Sequence, residues 1–508
     1  MEHRHGDDGR DGHPGAAGLC LGSTPYHRRG DDHGYPGVEI EMREREIKNT
    51  VIVIADTLRR DHLGLYGNPW IRTPHLDAFG ARSVVFDRAI VGSFACMPNR
   101  QDCWTGCYSY LDGPWRSLSD ADIEFPIYLE QAGRRSMLIS DQVHMFIQSA
   151  PRPGHAARSG SAYNGNYHRA FTGWEHIRGQ AHDPWRTDSI EDVPLPCDPA
   201  KIKFMDSFRQ HQRNTRQRQR EEDYSAPQVF RAAADWAERN HTKDGFCLVV
   251  DCFDPHEPWD PPRYYAELYD PGYRGEEVGY PPYGPADIMS PAELRHMRAL
   301  YAGEVTMVDR WLGFFLEKLD YLGLLDNTLV AITSDHGHML GEHGRVGKDP
   351  DTLFYPEVAR VPLIVWDPRL DGQGRRDNAL AQTIDLCPTI LDAMGAQAPA
   401  GIHGRSLLPR LADPAAPWRA HAIFGQHGQS AHVYDGEWQF GVPLSWRAGA
   451  RPVLLNYERP ALAEDPATAE MARARLGQAL REQLADLRAP EMLRSQVDAA
   501  LAATREGA

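Results

Sequence analysis

Cysteine is sparse in this 508-residue chain: eight residues at irregular spacing, too few and too scattered for a disulfide framework. Cys103, Cys107, Cys247, Cys252 and Cys387 fall in helix or strand patterns, so reduced thiols and a cytoplasmic location are expected. Long hydrophobic runs are missing as well. The longest apolar stretches, Val51 to Ala55 and Leu329 to Thr333, stop far short of the ~20 residues of a membrane span, and no membrane partner is expected. Positive charge is in deficit, with 55 Lys and Arg against 71 Asp and Glu and a net charge of -16. That balance argues against nucleic acid as a partner and repels anionic substrates at long range, so any site that handles an anion must be positive locally. Lysine is the scarcer cation, with only six in the chain.

The first forty or so residues are crowded with His, Asp, Gly and Arg and lack a cationic start followed by an apolar stretch, so they fail as a secretory signal. Ala17-Gly18-Leu19-Cys20 is only a faint lipidation pattern. Residues 1–46 read as a disordered or misassigned extension, with Met42, which opens a charged lead-in to the first strand, as the expected native start.

Beyond that point β-rich runs alternate with helical patterns. Val51 to Ala55, Ser83 to Phe86, Ser136 to Ser140, Phe246 to Phe253, Leu329 to Ser334 and Val361 to Trp366 read as strands; Leu294 to Leu322 and Gln382 to Gly395 read as helices. Strands that are apolar throughout imply a sheet covered on both faces, the doubly wound α/β arrangement, in which ligands gather at the carboxyl ends of strands. Asp56, Asp254 to His256, and Asp335-His336 all follow such strand ends, so three separated segments should converge on one sheet edge. The Arg- and Gln-rich stretch Lys201 to Glu222 reads as a solvated helical insertion rather than a nucleic-acid patch. Tyr264 to Ala286, dense in Pro, Gly and Tyr, reads as a long surface loop near the substrate mouth. The expected organisation is a catalytic domain over 47–410 and a subdomain over 411–508. In the latter, Ala422 to Phe424, His432 to Tyr434 and Trp438 to Val442 form a small antiparallel sheet, followed by a helical tail from Met471 to Leu501.

Cys96-Met97-Pro98-Asn99-Arg100, followed by Thr105-Gly106, has the C-x-P-x-R form. Three other segments accompany it. They are Val51 to Asp61 continuing to Gly67; Ser334-Asp335-His336-Gly337-His338 continuing to Gly344 and Lys348; and Asp385 to Asp392 followed by Gly404-Arg405-Ser406-Leu407. On these motifs, in this order, the chain from about Thr50 to Leu408 resembles the sulfatases of the alkaline-phosphatase superfamily. The resemblance implies a mixed, mostly parallel sheet of the alkaline-phosphatase/sulfatase type. It also implies that Cys96 is oxidised to formylglycine, whose hydrate carries two hydroxyls on one carbon, one to attack sulfur or phosphorus and one to expel the bound group. A formylglycine-generating enzyme is then an implied partner. The implied metal ligands are Asp56, Asp335, His336 and the modified Cys96, around one divalent ion, Ca²⁺ or Mn²⁺ with Mg²⁺ a third choice. Arg100, one helical turn beyond Cys96, would hold the hydrate and balance the carboxylates. His256, in Asp254-Pro255-His256-Glu257-Pro258-Trp259, matches the family's P-H-x-P-W segment and is the expected leaving-group acid, and Lys348 the contact to the anion. His144 matches a Lys-x-His segment only loosely and is a candidate second base or substrate contact. Asn164 to Trp185 resembles a subgroup of bacterial sulfatases without assignable roles; His338 and His343 are candidates for orienting the metal ligands and are left outside the proposed set.

The chain departs from the commonest pattern at two places. It has Asp56-Thr57 where two consecutive aspartates are usual, and Asp335-His336 where Asp-Asn is usual. The Asp-His version resembles the phosphonate monoester hydrolases. Sulfate monoester hydrolysis is the first expectation, and phosphonate monoester or phosphodiester hydrolysis with the same machinery the second. A non-catalytic scaffold is the third, should Asn99 and Gln101-Asp102-Cys103 prevent modification of Cys96. Small-molecule esters are the expected substrates, and a homo-oligomer is compatible with everything above.

Overall fold

A computed structural model describes residues 45–146, 165–370, 372–444 and 451–506. The expectations for residues 1–44, including the start at Met42, lie outside them, and the segment from Asn164 to Trp185 is described from Gly165 onward.

An eight-stranded sheet forms the centre. In chain order its strands are β1 Asn49–Ala55, β2 Val84–Phe86, β3 Arg135–Ser140, β4 Gly173–His176, β5 Phe246–Cys252, β6 Thr328–Thr333, β7 Leu363–Trp366 and β8 Arg375–Asp377; in space they run β8-β2-β7-β6-β1-β5-β3-β4. All neighbours are parallel except β7, which is antiparallel to both β6 and β2. The α/β doubly wound, mostly parallel class is therefore borne out.

The reason lies in the strand sequences. Along β1, Val51, Val53 and Ala55 enter one apolar cluster while Ile52 and Ile54 enter another; β5 divides in the same way, with Leu248, Val250 and Cys252 on one side and Cys247 and Val249 on the other. Side chains alternate across a strand, so a run with no polar alternation needs cover on both faces. Helices Ser225–Asn240 and Pro291–Tyr321 cover the first face, and helices Cys96–Thr105, Phe125–Gln131 and Leu386–Ala393 the second. The long Pro291–Tyr321 helix starts where its sequence says it should. Ser290 and Glu293 cap each other reciprocally, with Pro291 at the first helical position.

The carboxyl-terminal part carries a four-stranded antiparallel sheet of β9 Ala422–Gln426, β10 Ser430–Tyr434, β11 Trp438–Pro443 and β12 Val453–Asn456. The fourth strand was not anticipated. The helical tail is two helices, Pro466–Asp486 and Glu491–Glu506, rather than one, because Arg488 takes a left-handed φ of 53° and Pro490 follows it.

Two insertions pack more closely than their composition suggests. Lys201 to Glu222 contains helix Met205–Thr215, whose Phe208, His211 and Asn214 are buried rather than solvated. Tyr264 to Ala286 opens in a short helix, Arg263–Ala266, and sinks Val278 and Tyr280 into the core. Gln382 to Gly395 begins with a tight turn over Thr383–Asp385 before its α-helix. The seven described cysteines are free thiols, and no described helix is long and apolar enough to cross a membrane.

Candidate active site and metal centre

The carboxyl ends of β1, β3, β5 and β6 point the same way; Asp56 after β1, Asp251 near the end of β5, and Asp335 and His336 after β6 meet Arg100 or Cys96 of helix Cys96–Thr105, and Gln142 after β3 meets Asp56. Asp56 follows β1 and is completely buried; its N–H is tied to the Cys252 carbonyl at 2.9 Å. Asp335 and His336 follow β6. Asp56, Cys96, Asp335 and His336 each present a ligand-type atom, all within 4.8 Å of one another and all buried.

Local chemistry fixes each member. His336 Nδ1 donates to the Gly337 carbonyl at 2.9 Å, which leaves the Nε2 lone pair directed at Cys96 Sγ, 3.2 Å away. Gly337 has to be glycine, since a Cβ there would stand 1.9 Å from the Glu357 carbonyl oxygen. Thr57 holds a left-handed φ of 66°, costly for a β-branched residue. Its N–H donates to Asp335 at 3.0 Å, its hydroxyl donates to Asp56 at 2.7 Å, and Lys348 Nζ donates to that hydroxyl at 3.2 Å. One residue thus stitches together two carboxylates and a lysine. Gln142, after β3, adds an amide donor to Asp56 at 3.2 Å.

Arg100 is the counter-charge. One edge of its guanidinium makes two 2.8 Å bonds to Asp251, and Nη1 reaches Asp335 at 2.7 Å, Asp56 at 3.1 Å and the Cys96 carbonyl at 3.3 Å. Burial alone would raise the pKa of Asp56, yet Arg100, with His256, Lys348 and His336, holds it far below the carboxylate range. Asp251 remains pushed up to about 6, since burial outweighs Arg100 there. The Cys96 thiol, 9% exposed, is driven well above its ordinary value by burial despite Lys348. No side chain caps the first turn of its helix, whose amino end adds partial positive charge beside residue 96.

A second centre is Glu257, fully buried and absent from the sequence expectations. Its carboxylate accepts from the Tyr283 hydroxyl and lies 3.4 Å from Lys203, 3.6 Å from Lys348, 3.3 Å from the His256 ring and 3.6 Å from His338. Burial would raise its pKa, but His256, Lys348, Lys203 and His338 carry it well below the usual value. His256 stacks on Phe253 at 4.0 Å and donates from Nδ1 to the Glu257 carbonyl, so Nε2 is the ring atom left for a transferable proton. Burial lowers its pKa to about 3.

His144 is half-buried beside His182, 5.3 Å between ring centres, and burial lowers it to about 4. His182, from the segment that sequence reasoning left without a role, also contacts Ser207 at 2.8 Å and Tyr280 at 3.3 Å. Of the two loop histidines, His338 joins Glu257, while His343 is 42% exposed and pairs with Glu357 instead. Asp251 was missed because it sits inside β5, in Phe246-Cys247-Leu248-Val249-Val250-Asp251-Cys252. A lone carboxylate in an apolar strand was the signal.

The four-residue cluster suits a hard divalent ion with an imidazole in its shell: two carboxylates, a correctly oriented Nε2 and an atom of residue 96 converge, with Arg100 behind them. The family model for Sulfatase matches residues 48–396, more than half of the chain. The chain belongs to the sulfatase family. It is a sulfuric ester hydrolase by that membership. Among relatives, this sulfatase is 24% identical over 424 residues to an arylsulfatase of Clostridium perfringens, covering 76% of this chain and 83% of that one. It is 28% identical over 389 residues to an ulvan-active sulfatase of Formosa agariphila, covering 74% and 67%. Its fold also matches the crystal structure of a phosphonate monoester hydrolase of Agrobacterium radiobacter, with a TM-score of 0.66 and 21% identity over 87% of this chain and 95% of that one.

Proposed function

We propose that this sulfatase hydrolyses sulfate monoesters with a nucleophile made from Cys96 by oxidation to formylglycine, on one divalent ion held by Asp56, Asp335, His336 and residue 96. The observation that carries the reading is the convergence of those four side chains within 4.8 Å at the uncapped amino end of the Cys96–Thr105 helix. The hydrated aldehyde supplies one hydroxyl for attack and a second for release, and a divalent ion, Ca²⁺, Mn²⁺ or Mg²⁺, supplies the charge that favours an alkoxide at neutral pH.

The remaining work falls to the chain itself. Asp56, Asp251, Asp335 and Glu257 face Arg100, Lys348 and Lys203, a local deficit of one positive charge. A divalent ion reverses that deficit into an excess of one, which matches a singly charged ester. Arg100 keeps the carboxylates ionised and in place. Lys348, beside Thr57 and Asp56, is positioned to meet the sulfuryl oxygens. His256 supplies the leaving-group proton from Nε2. Burial keeps that ring neutral in the free site, and the negative charge of a bound ester in a low-dielectric pocket raises its proton affinity. His144, whose ring lies 5.3 Å from that of His182, is assigned a further substrate contact.

The test is turnover of an aryl sulfate by the metal-loaded protein from its native host, with mass spectrometry of the Cys96 peptide. An aldehyde together with turnover supports the reading; a persistent thiol without turnover favours a binding scaffold. The aldehyde would name a formylglycine-generating enzyme as an obligatory partner.

Phosphonate monoester or phosphodiester hydrolysis is the second reading, favoured by the His336 imidazole in the ligand cluster. Far larger kcat/KM for aryl phosphonates than for aryl sulfates would establish it in place of the first.

A further inference from the structure

Lys203 lies in a stretch whose composition reads as a solvated surface segment, yet its ammonium is turned inward. Its side chain is 15% exposed, Nζ sits 3.2 Å from the centre of the Tyr283 ring, and Glu257 Oε1 is 3.4 Å away. The backbone is pinned as well, since the Lys203 N–H donates to the Tyr280 carbonyl at 2.9 Å. Lys348 approaches the other oxygen of the same carboxylate at 3.6 Å and touches Thr57 beside the metal-ligand cluster. Two of the chain's six lysines therefore share one fully buried carboxylate in the wall of the site.

That sharing is uneconomical as scaffolding. A buried carboxylate needs one cationic partner, and a second desolvated ammonium adds cost unless another anion arrives to pair with it. Lys348 also faces Asp56 at 4.0 Å, whereas among the described residues the carboxylate paired with Lys203 is Glu257 alone, and Lys203 has to share it. Burial lowers Lys203 to about 8 even though Glu257 favours its charged form.

We propose that Lys203 is a second substrate-contacting cation, delivered by the 201–222 insertion, which with Lys348 grips the non-bridging oxygens of a singly charged sulfuryl or phosphonyl group while Glu257 holds the two ammoniums in position. The inference rests on the ester-hydrolase reading and adds the residue that recognises the anion from the insertion side.

The experiment uses the full-length, metal-loaded protein and inorganic sulfate as the probe. The lysines are acetylated with an amine-reactive ester in sulfate or in chloride at equal ionic strength, and labelling is read peptide by peptide by mass spectrometry. Sulfate is expected to slow acetylation of both Lys203 and Lys348 several-fold and to leave the exposed Lys243, in the loop before β5, unchanged. Equal labelling of Lys203 in both salts, with Lys348 protected, overturns this inference and leaves the hydrolase reading intact; protection of neither lysine overturns both. Lys203→Gln is expected to raise the inhibition constant for sulfate and lower kcat/KM for an aryl sulfate by about 10- to 100-fold, the scale of one charge-assisted contact, with Lys203→Arg recovering most of it. A Lys203→Gln protein that binds sulfate as the wild type does sinks the proposal, and should that variant fail to fold, the labelling of the unaltered protein decides alone.

Discussion

Nε2 of His336 lies 3.2 Å from Sγ of Cys96, with its lone pair aimed at the sulfur because Nδ1 is committed to the Gly337 carbonyl. The two residues are 240 positions apart in the chain, and their approach joins a loop after β6 to the first turn of a helix from the far side of the sheet.

Loss of the proposed metal ion should be visible without any substrate. Chelation is expected to lower the unfolding temperature, and restoring a divalent ion at about 100 times its Kd should return about 2.7 kcal/mol of stability. His336→Asn replaces the imidazole by an amide oxygen and should shift preference from Mn²⁺ toward Ca²⁺, read by calorimetric titration of each ion. Equal preference in the variant and the parent would remove His336 from the ligand set.

Cys96→Ala deletes the proposed nucleophile precursor while leaving a small side chain in a buried position. Turnover is expected to fall by at least on the order of a thousandfold. Urea unfolding should change by no more than ~1 kcal/mol, since only one small group is lost.

Arg100→Met strands Asp251, Asp335 and Asp56 in the interior without their shared cation. A destabilisation of about 3–5 kcal/mol is expected from denaturant unfolding, and part of it should return when Asp251→Asn is added. No loss of stability would mean that the three carboxylates find another partner.

His432, which is not among the candidate metal ligands, gives a separate pH signature. It is buried in β10, stacked on Phe424, accepting from Gln439 at Nδ1 and bonded to Ser430 through Nε2, and burial lowers its pKa to about 3. The unfolded chain takes a proton near pH 6.5 that the folded protein refuses. The contribution of neutral His432 is therefore complete above pH 6.5 and declines as pH falls toward 3. Between pH 7.5 and pH 5 the parent should lose about 2 kcal/mol that His432→Gln does not lose, measured by urea unfolding at both values.

The layered fold was legible because its central strands are apolar on both faces, and β1, β5 and β6 could be placed from that alone. The short edge strands β4, Gly-Trp-Glu-His, and β8, Arg-Arg-Asp, carry no such pattern, since edge strands meet solvent and need little apolar surface. At the site, Asp56, Cys96, Asp335 and His336 stand out because each ends a strand or opens a helix in a compact motif. Lys203 and Glu257 do not. Lys203 sits in a charged stretch that looks solvated, and Glu257 is one acid among 71 Asp and Glu. Their roles arise from long-range packing of Tyr280 and Tyr283 against the strand ends, which no local spacing encodes.

Arg100 is wholly enclosed and Cys96 nearly so, and both belong to one short helix, all ten of whose residues are buried against the second face of the sheet. A modifying enzyme of the proposed kind would find the Cys96–Arg100 segment helical and buried in the folded protein. Oxidation of Cys96 of the kind proposed would therefore have to precede folding, before Arg100 locks against its three aspartates.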